Sequence, residues 1–586
     1  MPKTRNLDTK FLNLLAFWTS LVGVLAFFFD FGFSHSSGVQ ISLNEYYFVV
    51  LAMGILACVL RYVQIKGLSR RRVFVFDLLS VCFSILIIYL HFVRSEYRSP
   101  GTLFYNDNWI KFAVFLTFIR EFSEIRVNYK RTLLNPAQLF LVSFVTIIFI
   151  GALLLMMPGA SYQGLSFVNA LFTATSAVCV TGLVVVDTGS YFTDFGQVVI
   201  MLLIQVGGLG ILTFASYFSY FFKGGATYEN QLVLSDMTNS NKIGEVFSIL
   251  KYILVITFTI ELISGILIFS SLDPSLFQSE GEVFFFSAFH AISAFCNAGF
   301  STLEMGLYDP AFRHNYYLHL VLLCTFGLGG LGFPIVSNLI QFMKYKASKI
   351  FFSGSSKSRH KPWVLNLNSR ITLVTTFSLT TLGFLAFYFL EYHNTLSEHH
   401  GFGKVVTALF GAATPRTAGF NTIDTSAMGM STLMIILFLM WIGASPSSTG
   451  GGIKTSTFAI ATLNVLSLAK GKSRIELMRR EIADISVRRA FAIIALSLMV
   501  IGLGITLIVL ADPAKSLIAI TFECFSAYST VGLSLGITPD LSTISKLVLV
   551  VIMFVGRVSM LTVLIAVFKK IKHKNYRYPT EEILMN

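Results

Sequence analysis

Four short blocks of small and hydroxylated residues recur along this chain, and their backbone chemistry suits a dehydrated cation. Aligned on one glycine, they read Ser176-Ala177-Val178-Cys179-Val180-Thr181-Gly182-Leu183, Ser293-Ala294-Phe295-Cys296-Asn297-Ala298-Gly299-Phe300, Ala413-Thr414-Pro415-Arg416-Thr417-Ala418-Gly419-Phe420 and Ser526-Ala527-Tyr528-Ser529-Thr530-Val531-Gly532-Leu533. The glycines at 182, 299, 419 and 532 lie 117, 120 and 113 residues apart. Glycine permits backbone angles that turn successive carbonyls to one side, and a ring of carbonyls can replace a cation's water shell.

The elements that must hold these blocks are membrane spans. Of 586 residues, 54% are hydrophobic and 13% charged, whereas a soluble chain carries roughly 25% charged residues. The mean hydropathy is +0.72, and apolar runs near the roughly 20 residues that cross a bilayer recur along the chain. Each block sits between two such runs, behind an apolar stretch too short to cross. A half-helix entering from outside and an extended strand climbing back are therefore expected. Irregular backbone survives at membrane depth only when buried in protein or lining water, so the four loops should meet on one aqueous axis. Four blocks in register outweigh the alternative of small residues at helix contacts.

The net charge of +14 marks topology rather than a nucleic-acid partner, because the basic residues cluster between apolar runs, as cytoplasmic loops do. Both termini are placed inside on this rule. Outer spans are expected over 136–157, 247–270, 371–390 and 490–510. Inner spans are expected over 197–222, 317–343, 432–469 and 546–568. Four helices should precede them, over 11–33, 46–60, 73–92 and 109–119, the last short for a crossing. Arg61 and Arg120 fall in the basic turns of this front region, whose charges lack the regular ladder of a voltage sensor. The domain reading is 1–135 for N-terminal membrane helices, four pore repeats over 136–235, 236–360, 361–489 and 490–568, and a basic tail over 569–586. The fold class is an all-α integral membrane protein with four helix–loop–helix repeats around a pseudo-fourfold pore.

The third inner run is interrupted by Gly443-Ala444-Ser445-Pro446-Ser447-Ser448-Thr449-Gly450-Gly451-Gly452-Ile453-Lys454-Thr455. Proline removes a donor and glycine costs helix propensity, so a broken helix is expected. Ile453 interrupts any phosphate-loop reading. A mobile plug below the loops, with Gly450, Gly451, Gly452 and Lys454 in it, is the functional reading. The six cysteines, with no paired spacing, are expected to be free and buried. Glu261 and Glu523 are intramembrane acids expected to brace loops, and the glycines at 207–210 and 327–332 are expected at helix contacts.

On these blocks the chain resembles the Trk/Ktr/HKT potassium transporter superfamily, and within it the TrkH/KtrB-type pore-forming subunit, from about 136 to 568. The resemblance implies a selectivity filter at Val180, Thr181, Gly182, Leu183, Asn297, Ala298, Gly299, Phe300, Thr417, Ala418, Gly419, Phe420, Thr530, Val531, Gly532 and Leu533. Potassium would bind their backbone carbonyls. It also implies an intramembrane gate at Gly450, Gly451, Gly452 and Lys454, with Arg557 controlling it. Where many members follow that arginine with glycine and proline, this chain has Val558-Ser559-Met560. The resemblance implies potassium uptake at the bacterial inner membrane by a homodimer, gated by a cytoplasmic nucleotide-binding regulatory subunit of TrkA/KtrA type. No covalent cofactor is expected. The alternative within the superfamily is sodium-coupled or sodium-translocating transport. A membrane enzyme is the alternative of another class, but His290 is isolated. Glu398, His399 and His400 read as a solvated turn without a fourth metal ligand, so no catalytic residue is assigned.

Overall fold

The computed structural model describes residues 9–64, 71–93, 107–124, 136–209, 246–351 and 365–567. Helices dominate them. Four helices come first: α1 (Thr9–Gly32), α2 (Ser37–Gln64), α3 (Arg71–Val93) and α4 (Asp107–Glu124). Tyr47, Val50, Leu51, Ile87, Ile110, Ala113 and Val114 form their common core. The fourth helix runs 18 residues, about 27 Å at 1.5 Å per residue, longer than its apolar stretch suggests. Arg61 and Arg120, counted among the basic residues of the turns, lie within α2 and α4 instead: both are buried, and both bond to Glu121. A long side chain at a helix end turns inward when a carboxylate there can neutralise it.

The remaining helices of eight residues or more fall into four units of long helix, half-helix and inner helix. They are α5 (Pro136–Leu155), α6 (Phe167–Val178) and α7 (Asp194–Gly208), then α8 (Val246–Ser271), α9 (Glu280–Cys296), α10 (Tyr316–Leu331) and α11 (Phe333–Phe351). The third unit is α12 (Leu367–Glu391), α13 (Phe402–Ala413), α14 (Met430–Trp441) and α15 (Thr455–Ala469). The fourth is α16 (Asp484–Ala511), α17 (Leu517–Ser529), α18 (Thr543–Val558) and α19 (Met560–Val567). A hairpin of β1 (Glu476–Leu477) and β2 (Arg480–Glu481) lies between the last two units.

Among the described residues, five helices are long and apolar enough to cross a membrane, or six if the bent pair α10–α11 is one span. Their outward faces are apolar: Phe258, Leu262 and Ile266 on α8, Phe377, Leu382 and Phe389 on α12, and Leu503, Leu507 and Leu510 on α16 are exposed. Such surface is stable only against hydrocarbon or another apolar face, so this is a multi-pass membrane protein.

The inner helices are more broken than the sequence suggests. The third interrupts between α14 and α15 as expected. The second also bends, by 106°, at Gly332, where φ is +77° and Pro334 follows. The fourth breaks at Ser559, with φ +74°. The far part of the first expected inner span lies outside the described residues.

Candidate functional site

Each half-helix ends alike. Val180, Asn297, Thr417 and Thr530 take positive φ values of 56°, 60°, 77° and 50°, and two residues later Gly182, Gly299, Gly419 and Gly532 take 86°, 70°, 80° and 92°. This double reversal turns the chain from helix into an ascending strand. Bonds from Thr181 N to Ser176 O (2.8 Å), Ala298 N to Ser293 O (2.7 Å) and Val531 N to Ser526 O (2.9 Å) close three of the helix ends. The third unit differs by one position, with Ala418 N donating to Thr414 O at 2.9 Å. These bonds occupy carbonyls that the last helical turn would leave open.

The four strands close into a ring. The α-carbon of Gly182 packs on the Ala298 oxygen, Gly299 on that of Ala418, Gly419 on that of Val531, and Gly532 on that of Thr181. A Cβ on Gly299 would stand 2.9 Å from the Ala418 oxygen. All four glycines are thus required twice, by φ and by the neighbouring strand. Thr181, Ala298, Ala418 and Val531, each one residue before its glycine, therefore sit in equivalent places around one axis. Leu183, Phe300, Phe420 and Leu533 are buried behind the strands. Ser293 donates to Phe300 O at 2.7 Å, and Thr414 to Phe420 O at 2.8 Å.

Beneath the ring runs the interruption of the third inner helix. Its neck is closed by Ile453 N to Trp441 O (3.3 Å) and Thr455 N to Ala444 O (3.1 Å). Its tip touches consecutive units with consecutive residues. Thr449 Oγ1 donates to Asn297 Oδ1 at 2.9 Å, Gly450 lies against Thr417 Oγ1, and Gly451 N donates to Thr530 Oγ1 at 2.9 Å. Val180, the equivalent in the first unit, has no hydrogen-bonding group on its side chain. Sequence reasoning placed these residues in one filter but gave no sign that three of them meet the loop below. Gly452 packs on Ser529, its virtual Cβ 3.2 Å from the serine Cβ. Lys454 Nζ donates to Gly450 O at 2.5 Å. Arg557 donates to Thr449 O and, at 2.6 Å, to Gly207 O, tying the tip to the first and fourth inner helices.

The other singled-out residues lie around this centre. Glu523 accepts from Ser534 (2.5 Å) and Thr538 (2.9 Å), bracing the fourth strand from behind. Glu261 accepts from Gln205 at 3.1 Å. Gly207 and Gly329 press on the carbonyls of Val178 and Phe295, the close helix contacts expected, and Gly556 presses likewise on that of Tyr528. His290 bonds to Phe286 O and Ser301. His399 is not solvated: it is fully buried and shares a 3.0 Å hydrogen bond with the Tyr316 hydroxyl, while Glu398 pairs with Arg313. Cys82 and Cys324 are exposed rather than buried, facing outward from the apolar surface.

Residues 106–578 match the family described as TrkH, cation transport protein. The chain is 38% identical over 451 residues to the Ktr system potassium uptake protein B of Bacillus subtilis, covering 77% of this chain and 96% of the relative. It is 35% identical to the potassium/sodium uptake protein NtpJ of Enterococcus hirae, covering 78% and 98%. Among solved structures, the potassium transporter TrkH from Vibrio parahaemolyticus shares the fold, with a TM-score of 0.59 over 84% of this chain and 97% of that one at 17% identity. The family match begins at the fourth front helix, earlier than position 136.

Proposed function

This chain belongs to the TrkH family of cation transport proteins, and on that premise we propose that it takes up potassium along the axis of its four loops. The carbonyls of residues 180–183, 297–300, 417–420 and 530–533 form the filter, and the loop carrying Gly450, Gly451, Gly452 and Lys454 forms the gate, held by Arg557. The observation that carries this reading is the closed cycle in which each glycine packs on its neighbour's carbonyl. Fixed carbonyls facing an axis compensate the loss of a cation's water shell.

The gate closes by bulk and by charge. Lys454 and Arg557 donate to neutral carbonyls of the loop and of α7, so their positive charge opposes a cation below the filter. At an effective dielectric of about 20, one such charge about 6 Å away raises an ion's energy by roughly 3 kcal/mol. Withdrawing the tip removes both obstacles. A cytoplasmic nucleotide-binding subunit acting on the basic segments, including the β1–β2 hairpin, would supply that movement. The chain works as a homodimer in the bacterial inner membrane, with both termini inside.

Sodium coupling is the second reading, favoured by the likeness to the potassium/sodium uptake protein. Expression in cells lacking their own potassium uptake, with rubidium entry measured with and without sodium, separates the two. Rubidium entry that sodium neither stimulates nor blocks, and that Gly182→Ser makes sodium-sensitive, supports the potassium filter. Entry that requires sodium supports coupling.

A further inference from the structure

Repeat three alone carries a charge three residues before the filter glycine. There the first, second and fourth repeats carry Cys179, Cys296 and Ser529, and the third carries Arg416. In those same three repeats an inner-helix glycine, Gly207, Gly329 or Gly556, seals the end of the half-helix. The corresponding glycine of the third repeat is Gly443, 24 residues after Gly419 as Gly556 is 24 after Gly532. It lies beyond the end of α14 at Trp441 and packs on the Gly451 backbone instead. Because Gly443 lies past the helix end, its carbonyl has no partner within α14.

The Arg416 guanidinium fills that place. It donates to Gly443 O at 3.4 Å, Thr376 O at 3.3 Å and Thr380 Oγ1 at 3.3 Å, with the residue 9% exposed. All three acceptors are neutral oxygens. Its own backbone leads directly into Thr417, which begins the filter strand and touches Gly450. Strand three thus meets the loop at both ends, through Arg416 at the root and Thr417 at the tip. The root is held by groups of its own repeat and by Ser445 N to Gly330 O at 3.0 Å. The tip is held by Asn297, Thr530 and Arg557 of other repeats.

We propose that Arg416 is a positioning residue that pins the root of the gating loop to filter strand three, so that the tip swings about Gly443 and latches on the axis. This rests on the gate reading above. Without the pin the tip still has its partners, but its path to them is no longer fixed, and the closed state weakens.

The test uses the full chain in cells lacking potassium uptake, with rubidium entry at rest normalised to the amount of protein in the membrane. Arg416→Gln should raise the resting maximal rate roughly tenfold, as loss of a hydrogen bond from a charged group permits, and leave half-saturating rubidium unchanged. Arg416→Lys should restore most of the closure. Arg416→Gln combined with Arg557→Gln should leak no more than Arg557→Gln alone, because the pin acts only by bringing the tip to Arg557 and has nothing left to position once that contact is gone. Wild-type resting entry in Arg416→Gln, a multiplicative double variant, or a changed half-saturation with no rise at rest would overturn the proposal. If Arg416→Gln does not reach the membrane, Thr380→Val decides: a smaller rise supports the pin, and no rise overturns it. Arg557→Gln without any leak would reject the gate itself, a separate result.

Discussion

Single residues carry the closest constraints. A methyl on Gly299 would meet the Ala418 oxygen and would also hold an L residue at φ +70°; such backbone strain costs on the order of 1–3 kcal/mol. Gly299→Ala is therefore expected to lower rubidium entry at least about tenfold at equal membrane abundance, since about 1.4 kcal/mol already corresponds to that factor. The glycines were legible because their φ disfavours a Cβ and the neighbouring strand leaves no room for one. Their partners in the reversal, Val180, Asn297, Thr417 and Thr530, were legible only as part of the block, since nothing in a valine or threonine announces a left-handed backbone. Ser559 is the same case. It takes φ +74° and ψ +127°, close to the +77° and +149° of Gly332 at the break in the second unit. Ser559→Gly should relieve about 1 kcal/mol or more of strain, read as a higher Tm of the purified protein with uptake retained.

Elements are where sequence and structure part most clearly. The break in the third inner helix was readable from Pro446 and three successive glycines, because they deny the helix both donors and propensity. The bend at Gly332 had a glycine and a following proline, yet the same residues also serve helix contacts, so periodicity alone did not separate a bend from a packed helix. The loop's latch was not readable at all, since it joins residues 79 to 152 positions apart. It makes a direct prediction: Thr530→Val removes the acceptor of the Gly451 amide, and resting rubidium entry should rise several-fold while sodium competition stays unchanged. The segment 395–401 gives a pH effect. Burial first, and then the nearby His314, pushes the His399 imidazole down to about 4 from the ordinary 6.5. The unfolded chain therefore takes up that proton first. The stability from neutral His399 is complete above pH 6.5 and is lost as pH falls toward 4. Tm should drop between pH 7 and 5, and His399→Gln should flatten the drop.

At the scale of the whole molecule, the front bundle α1–α4 abuts the four units that follow it. The relatives cover about three quarters of the chain, and α1–α3 precede the family match at 106. The joint includes Phe31 stacked on Phe195 at 5.7 Å and Gly32 packed against Met157. Inside the bundle, two charged layers flank the apolar core. Asp30 pairs with Lys111 at 2.9 Å at one end, and Glu121 pairs with Arg61 and Arg120 at the other. Lys111 and Arg120 are nine residues apart on α4, about 13.5 Å along its axis. Composition revealed the four spans but not these pairs, because a lone sequence gives a cation's place along a helix and not its partner across one. Removing one partner of a buried pair typically costs roughly 3–5 kcal/mol, because the remaining charge loses its compensation. Glu121→Gln should accordingly lower the amount of folded protein and its Tm. The four-loop axis has its own cores and its own latch, so the surviving molecules should take up rubidium at the wild-type rate per protein. A parallel fall in the rate per protein would mean instead that the bundle's charge layer acts on the pore through the Phe31–Phe195 joint, and Phe31→Ala combined with Glu121→Gln should then abolish the difference.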